Sequence, residues 1–383
     1  MMFENLKGIE KGREEKEKQN MSSLEILLEL SDKVIGDKAY LELTNAYSNS
    51  GTEKLKMLCP TMWENLQDKL KDVEYNEDDL KNFIMARANI YNSFDPEQKI
   101  LGAYAGFLLQ LLTHRNKEKG ERTTFYIDGK KNKFDYLFCS AQDIDELIVD
   151  NFRGTGICSY IINEESKANM IACMNITGGY TLFKAGTNGG KINLLVCKNI
   201  KGERTMCHAV YQSHVNAITA INIDGYAALD NVGGGNSHIG AVVGDNIKGG
   251  REFFGMDDKR YIGMILKKDC GKIKVRLSGK EMEMYRLARK NSRIIKYSYK
   301  MKSLIERAET YEEESTEKIV ETLSKKFSAE PHLKTKIVNE RKKIVREIFS
   351  ITEKMKNAEW EDTIKYAKQI HPKYLEIKGL LAI

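Results

Sequence analysis

From about residue 123 to 278, apolar positions recur in columns separated by a fixed repeat length, not by the turn of a helix. The marker is an asparagine at Asn151, Asn175, Asn199, Asn222 and Asn246, in steps of 24, 24, 23 and 24 residues. Four residues before it stand Leu147, Ile171, Leu195, Ile218 and Val242, and one coil later Leu266. One residue after it come Phe152, Ile176, Ile200, Ile223 and Ile247, and seven after it Cys158, Leu182, Met206, Leu229 and Phe253. Small residues fill the column two before it: Val149, Cys173, Cys197, Ala220 and Gly244. Three residues after each asparagine there is always a glycine, which marks a turn needing positive φ or a close approach of neighbouring coils. Such a period means stacked supersecondary units, whatever each segment favours alone.

The period excludes the helical repeats, whose units run to about 33 residues or more, and interior glycines would cost a helix about 1 kcal/mol each. Short runs such as Lys191–Cys197 and Ala217–Ile221 favour strands. The pattern predicts a parallel β-solenoid of about six 24-residue coils, with a less regular first coil at Tyr126-Ile127-Asp128-Gly129. Of the 29 glycines, 21 fall between Gly129 and Gly279, which marks the same segment independently. Gly233–Gly235 and Thr187–Gly190 lack the strand–loop–helix context of a phosphate loop and are expected to be turns.

Outside the solenoid the apolar spacing becomes helical. The division expected is a charged, disordered segment at 1–20, a helical cap at 21–118, the solenoid at 123–278, and a C-terminal helical domain at 279–383. Ser22-x-x-Glu25 has capping-box spacing, and Pro60 and Pro96 sit where first-turn prolines belong. Further C-terminal helices are expected over 280–308, 311–328, 333–357 and 359–370. Helices at both termini suit a solenoid, whose open ends need covering.

Asparagine ladders form when stacked amides donate to one coil and accept from the next. In this the chain resembles right-handed parallel β-helix proteins, and the handedness expected here comes from that resemblance. Its Asn-Ile-x-Gly coils are also similar to repeats in uncharacterised archaeal solenoid proteins, which implies no activity. Ser237-His238-Ile239-Gly240-Ala241 resembles a Ser-His-Gly-Ala phrase of iron–sulfur assembly scaffolds, without the glycine after the histidine. Five residues transfer no function.

Charge and cysteine usage narrow little. The formal charge of +6 permits contact with anionic partners without requiring it. No 18-residue apolar run exists, and the charged N-terminus lacks the core of a signal peptide. A cytoplasmic protein without a membrane span is therefore expected. Cys173 and Cys197 share a column within disulfide reach, and the expectation is two reduced, buried thiols. A cationic stretch, Arg286, Arg289, Lys290, Arg293, Lys296 and Lys300, is a candidate nucleic-acid contact.

For chemistry, the carboxylates Asp224, Asp230, Asp245, Asp257 and Asp258 occupy different columns, so no pair suited to glycoside hydrolysis stands out. One column is polar throughout: Lys167, Lys191, His214 and His238, each eight residues before its asparagine. Stacked histidines are an incomplete metal set without a third ligand, whereas a basic edge accepts an anionic ligand as it stands. The expected function is a non-enzymatic scaffold with a protein partner. A carbohydrate-active or metal-dependent enzyme on a β-helix face is the alternative, and no catalytic residue or cofactor is identified.

Overall fold

The computed structural model describes residues 21–44, 54–91, 95–248, 254–255, 261–268, 270, 275–276 and 331–380. Among the described residues, α1 (Ser23–Ile35), α2 (Lys38–Thr44), a short 3-10 helix (Leu55–Met57), α3 (Leu58–Leu70), α4 (Glu77–Arg87) and α5 (Pro96–Glu118) lead in. Strands β1 (Thr124–Asp128), β2 (Ile144–Asp150), β3 (Lys167–Met174), β4 (Lys191–Lys201), β5 (His214–Asp224) and β6 (His238–Lys248) follow. After the two-residue β7 (Phe254–Gly255) comes β8 (Tyr261–Lys268), then β9 (Val275–Arg276). Helices α6 (Pro331–Asn357), α7 (Trp360–Ala367) and α8 (Ile370–Leu380) close the described chain. The charged segment 1–20, the expected helices 280–308 and 311–328, and the cationic stretch Arg286–Lys300 lie outside the described residues.

The fold is a parallel β-solenoid of about five turns at 124–248, flanked by N-terminal and C-terminal helices. Its sheet runs β1-β2-β3-β4-β5-β6-β8, every neighbouring pair parallel. The repeat sets the register: Leu147 pairs with Ile171, Ile171 with Leu195, Leu195 with Ile218, and Ile218 with Val242. All five are fully buried. Leu266 is a correction. Between β6 and β8 the step is 23 residues, so Val242 pairs with Ile265 and Leu266 pairs with Val243. A slip of one residue carries a side chain through the sheet, and Leu266 lies on the outer face.

The glycine column exists for close approach. A methyl built on Gly202 overlaps the carbonyl of Gly178, and one built on Gly225 overlaps that of Gly202. The left-handed corner falls on the asparagines themselves, with φ of 58°, 52°, 54°, 54° and 54° from Asn151 to Asn246. Asparagine tolerates that region better than most side chains. Cys173 and Cys197 pair in register and are free, buried thiols. Burial pushes the Cys197 thiol well above its usual range, with Cys173 adding to the effect.

The two helical flanks attach differently. α5 is buried on every side from Ile100 to Thr113, as a largely apolar helix inside a core must be. It packs on the first coil, and a side chain at Gly102 would collide with the Tyr136 backbone. No helix among the described residues is long and apolar enough to cross a membrane. The C-terminal helices lie along the outer face of the sheet, where covering an open end was expected. Ile148, Met170, Leu194, Val196, Val243 and Leu266 meet Ile344, Ile348, Ile351, Met355, Ile364 and Tyr374 there. Strands apolar on both faces need cover on both.

Polar anchors fix how the C-terminal helices sit. Lys198, 4% exposed on the sheet, donates to Thr363 Oγ1 at 3.0 Å and to the Ala358 carbonyl at 2.5 Å. Burial lowers its pKa, while Asp150 and Glu359 oppose that shift. Fully buried Asp245 pairs with Lys356 at 3.0 Å and accepts from Thr352 Oγ1 at 3.3 Å. Tyr126 stacks on Trp360 at 4.2 Å. Buried ions add little net stability, but misplacing one partner is costly, so these contacts select one docking register.

Candidate binding face

The polar column becomes a physical row at the leading edge of the sheet. Lys167 pairs with Lys191, Lys191 with His214, His214 with His238, and His238 with Tyr261. Lys167, Lys191 and His238 are exposed, and His214 is half-buried. The two imidazoles lie parallel, with centroids 4.7 Å apart and planes 3° apart.

Beside them runs a second amide row. Asn193 donates to Asn169 at 3.0 Å, and Asn216 donates to Asn193 at 3.0 Å. The Asn216 Oδ1 is therefore an acceptor, and it lies 2.9 Å from His214 Nε2. An amide oxygen only accepts, so His214 Nε2 donates its proton to Asn216. A metal at His214 Nε2 would have to break this chain. These asparagines lie six residues before Asn175, Asn199 and Asn222. The spacing was there to be read, but only the stronger series stood out.

The main ladder is less uniform than its spacing. Asn246 donates to Asn222 at 2.9 Å, Asn222 to Asn199 at 2.8 Å, and Asn199 to Asn175 at 2.8 Å. Asn175 turns instead to Asp150 at 2.7 Å, and Asn151 to Asp128 at 3.0 Å. The first two coils thus use carboxylates where the later ones use amides.

A third imidazole reaches this region from α8. His371 is partly buried, and its protonated form is disfavoured by burial, then by His214 and Lys378. His238 is lowered by the same three influences in the same order. Among the described residues, no three histidine, cysteine or acidic side chains are arranged to hold a metal ion.

This arrangement predicts a pH response. Both folded-state pKa values lie below the ordinary 6.5, so the unfolded chain binds more protons as the pH drops through that value. Stability must then fall with pH below about 6.5 and level off once the folded imidazoles also titrate. Thermal melts from pH 8 to pH 5 should show a loss that His238→Gln/His371→Gln reduces. An equal pH dependence in the double variant would remove these two groups as its source.

Lys167 and Lys191 also line a groove of about 880 Å³ between the N-terminal helices and the coil edges, with Trp63, His114, Asn169 and Asn193. Four carboxylates share it: Glu64, Asp143, Asp145 and Glu165. Asp143 accepts from the Lys167 amide and Asp145 from the Thr123 amide, each at 3.0 Å. Both therefore hold coil ends together. The sequence did not reveal this convergence, because two of the four come from turns and one from α3. No protein-family model, curated protein or solved structure matches the chain.

Proposed function

We propose that the chain is a non-enzymatic scaffold that holds an acidic protein partner along its sheet edge. The observation that carries this reading is the in-register row of Lys167, Lys191, His214 and His238. A rigid sheet presents these groups at the fixed strand spacing of about 4.8 Å. Preorganised donors lose little conformational freedom on binding, which favours affinity. The outer apolar face plays no part, since the chain's own C-terminal helices occupy it.

Charge reversal tests the proposal without touching the core, because both lysines are exposed. In quantitative capture from cell extract, Lys167→Glu/Lys191→Glu should lose the main wild-type partner about tenfold or more. Its melting temperature should stay within about 2 °C of wild type, as expected for surface substitutions. An identical captured set would remove the row from any binding role.

The alternative, a carbohydrate-active enzyme, has one observation in its favour: four carboxylates and Trp63 share the 880 Å³ groove. Glu64 and Glu165 are the pair to test, because Asp143 and Asp145 are committed to backbone amides. Glycan cleavage by wild type that Glu64→Gln abolishes would favour the enzyme.

A further inference from the structure

The side of each coil facing away from the sheet is built from turns, and one patch of it departs from the repeat. Tyr160, Lys184, His208 and Asn231 each follow their asparagine by nine residues and share left-handed φ values of 55°, 52°, 56° and 55°. Backbone bonds stack them: the Tyr160 amide donates to Phe183, the Lys184 amide to Cys207, and the His208 amide to Asp230. The backbone thus repeats while the side chains do not. Inward columns keep one chemistry from coil to coil, because packing demands it. This column changes from phenol to ammonium to imidazole to amide, so no packing demand fixes its chemistry.

Tyr160, Lys184 and His208 line a groove of about 600 Å³, a size suited to a small ligand. Phe183, Tyr211 and Tyr226 add aromatic surface, and Tyr226 is 47% exposed. Lys184 lies over the rings of Tyr160 and Phe183 at 5.5 and 5.7 Å. Exposed Arg204 lies over Tyr180 at 5.4 Å. The Asn231 amide meets His208 Nδ1 at 2.9 Å. Burial holds His208 towards its neutral form, which leaves Nε2–H as a donor. Burial, then Asp230, push the Cys207 thiol up to about 12, which disfavours the thiolate.

We propose that this groove binds a nucleotide, with its base against Tyr226 and Tyr211 and its phosphate held by Lys184 and Arg204. Aromatic faces accept any base, and Arg and Lys supply the phosphate contacts. Asp230 accepts from a ribose hydroxyl or an exocyclic amine. An uncharged sugar would stack on the rings without drawing on either cation's charge. A bare phosphate would leave the rings without a role.

Calorimetric titration with AMP, adenosine, inorganic phosphate, glucuronate and a short oligoadenylate tests the proposal. AMP should bind saturably and at least about tenfold more tightly than adenosine or phosphate alone. Tyr226→Ala should weaken AMP about five- to fiftyfold, in line with the loss of one base stack. Arg204→Ala should weaken AMP more than adenosine, and Lys167→Ala/Lys191→Ala should change neither. Oligoadenylate binding as tightly as AMP or better would identify the ligand as a unit of a nucleic-acid strand, and the reverse order a free nucleotide. The proposal fails if no nucleotide saturates at several millimolar, if glucuronate or phosphate binds as well as AMP, or if both groove variants, with unchanged melts, bind AMP like wild type.

Discussion

Leu195→Ala is expected to cost about 2 to 5 kcal/mol, the range for truncating a buried leucine. Leu195 is fully buried and sits between Ile171 and Ile218 in the inner column. In a stacked coil that neighbourhood cannot collapse easily, since the backbone above and below is pinned by parallel hydrogen bonds. The cavity also lies in the middle of the stack, where each coil depends on its neighbours. Urea unfolding followed by circular dichroism measures the loss. A change below about 0.5 kcal/mol, the usual size for a surface site, would place Leu195 outside the core.

Asn199→Leu removes two things at once. The side chain donates to Asn175 and accepts from Asn222, each at 2.8 Å, and breaking such a chain costs on the order of 1 to 3 kcal/mol. The backbone adds a second term, because φ at Asn199 is 54° and a leucine held there costs roughly 1 to 2 kcal/mol more. Asn199→Gly separates the two, since glycine keeps the corner and loses only the amide. The leucine variant should therefore be less stable than the glycine variant, and both less stable than wild type. Equal stability of wild type and Asn199→Leu would make the ladder incidental.

The inner columns and the ladder were readable because stacking forces the same chemistry to recur at one interval. Leu266 was misplaced because the last step shortens to 23 residues, and no residue in the sequence marks the missing position. The cover over the outer face leaves a trace in the sequence. Leu194, Leu195 and Val196 are apolar in succession, which is the signature of a strand buried on both faces. The positive φ at the asparagines was hidden by the adjacent glycines, which looked like the better candidates. His371 was invisible for a different reason: α8 reaches the histidine row through tertiary packing, and no spacing links residues so far apart. The return-side groove was hidden too, because its residues break the repeat that made the rest legible.

The binding face depends most on the row register, which a pair of cysteines reports directly. His214→Cys/His238→Cys places thiols on paired residues of adjacent strands, a separation within disulfide range. Lys167→Cys/His214→Cys places them two strands apart, at roughly 10 Å by the strand spacing. Under mild oxidation, mass spectrometry should find the 214–238 disulfide formed in full and the 167–214 pair still reduced. A 167–214 disulfide, or no 214–238 bond, would contradict the stacked row and every binding role built on it.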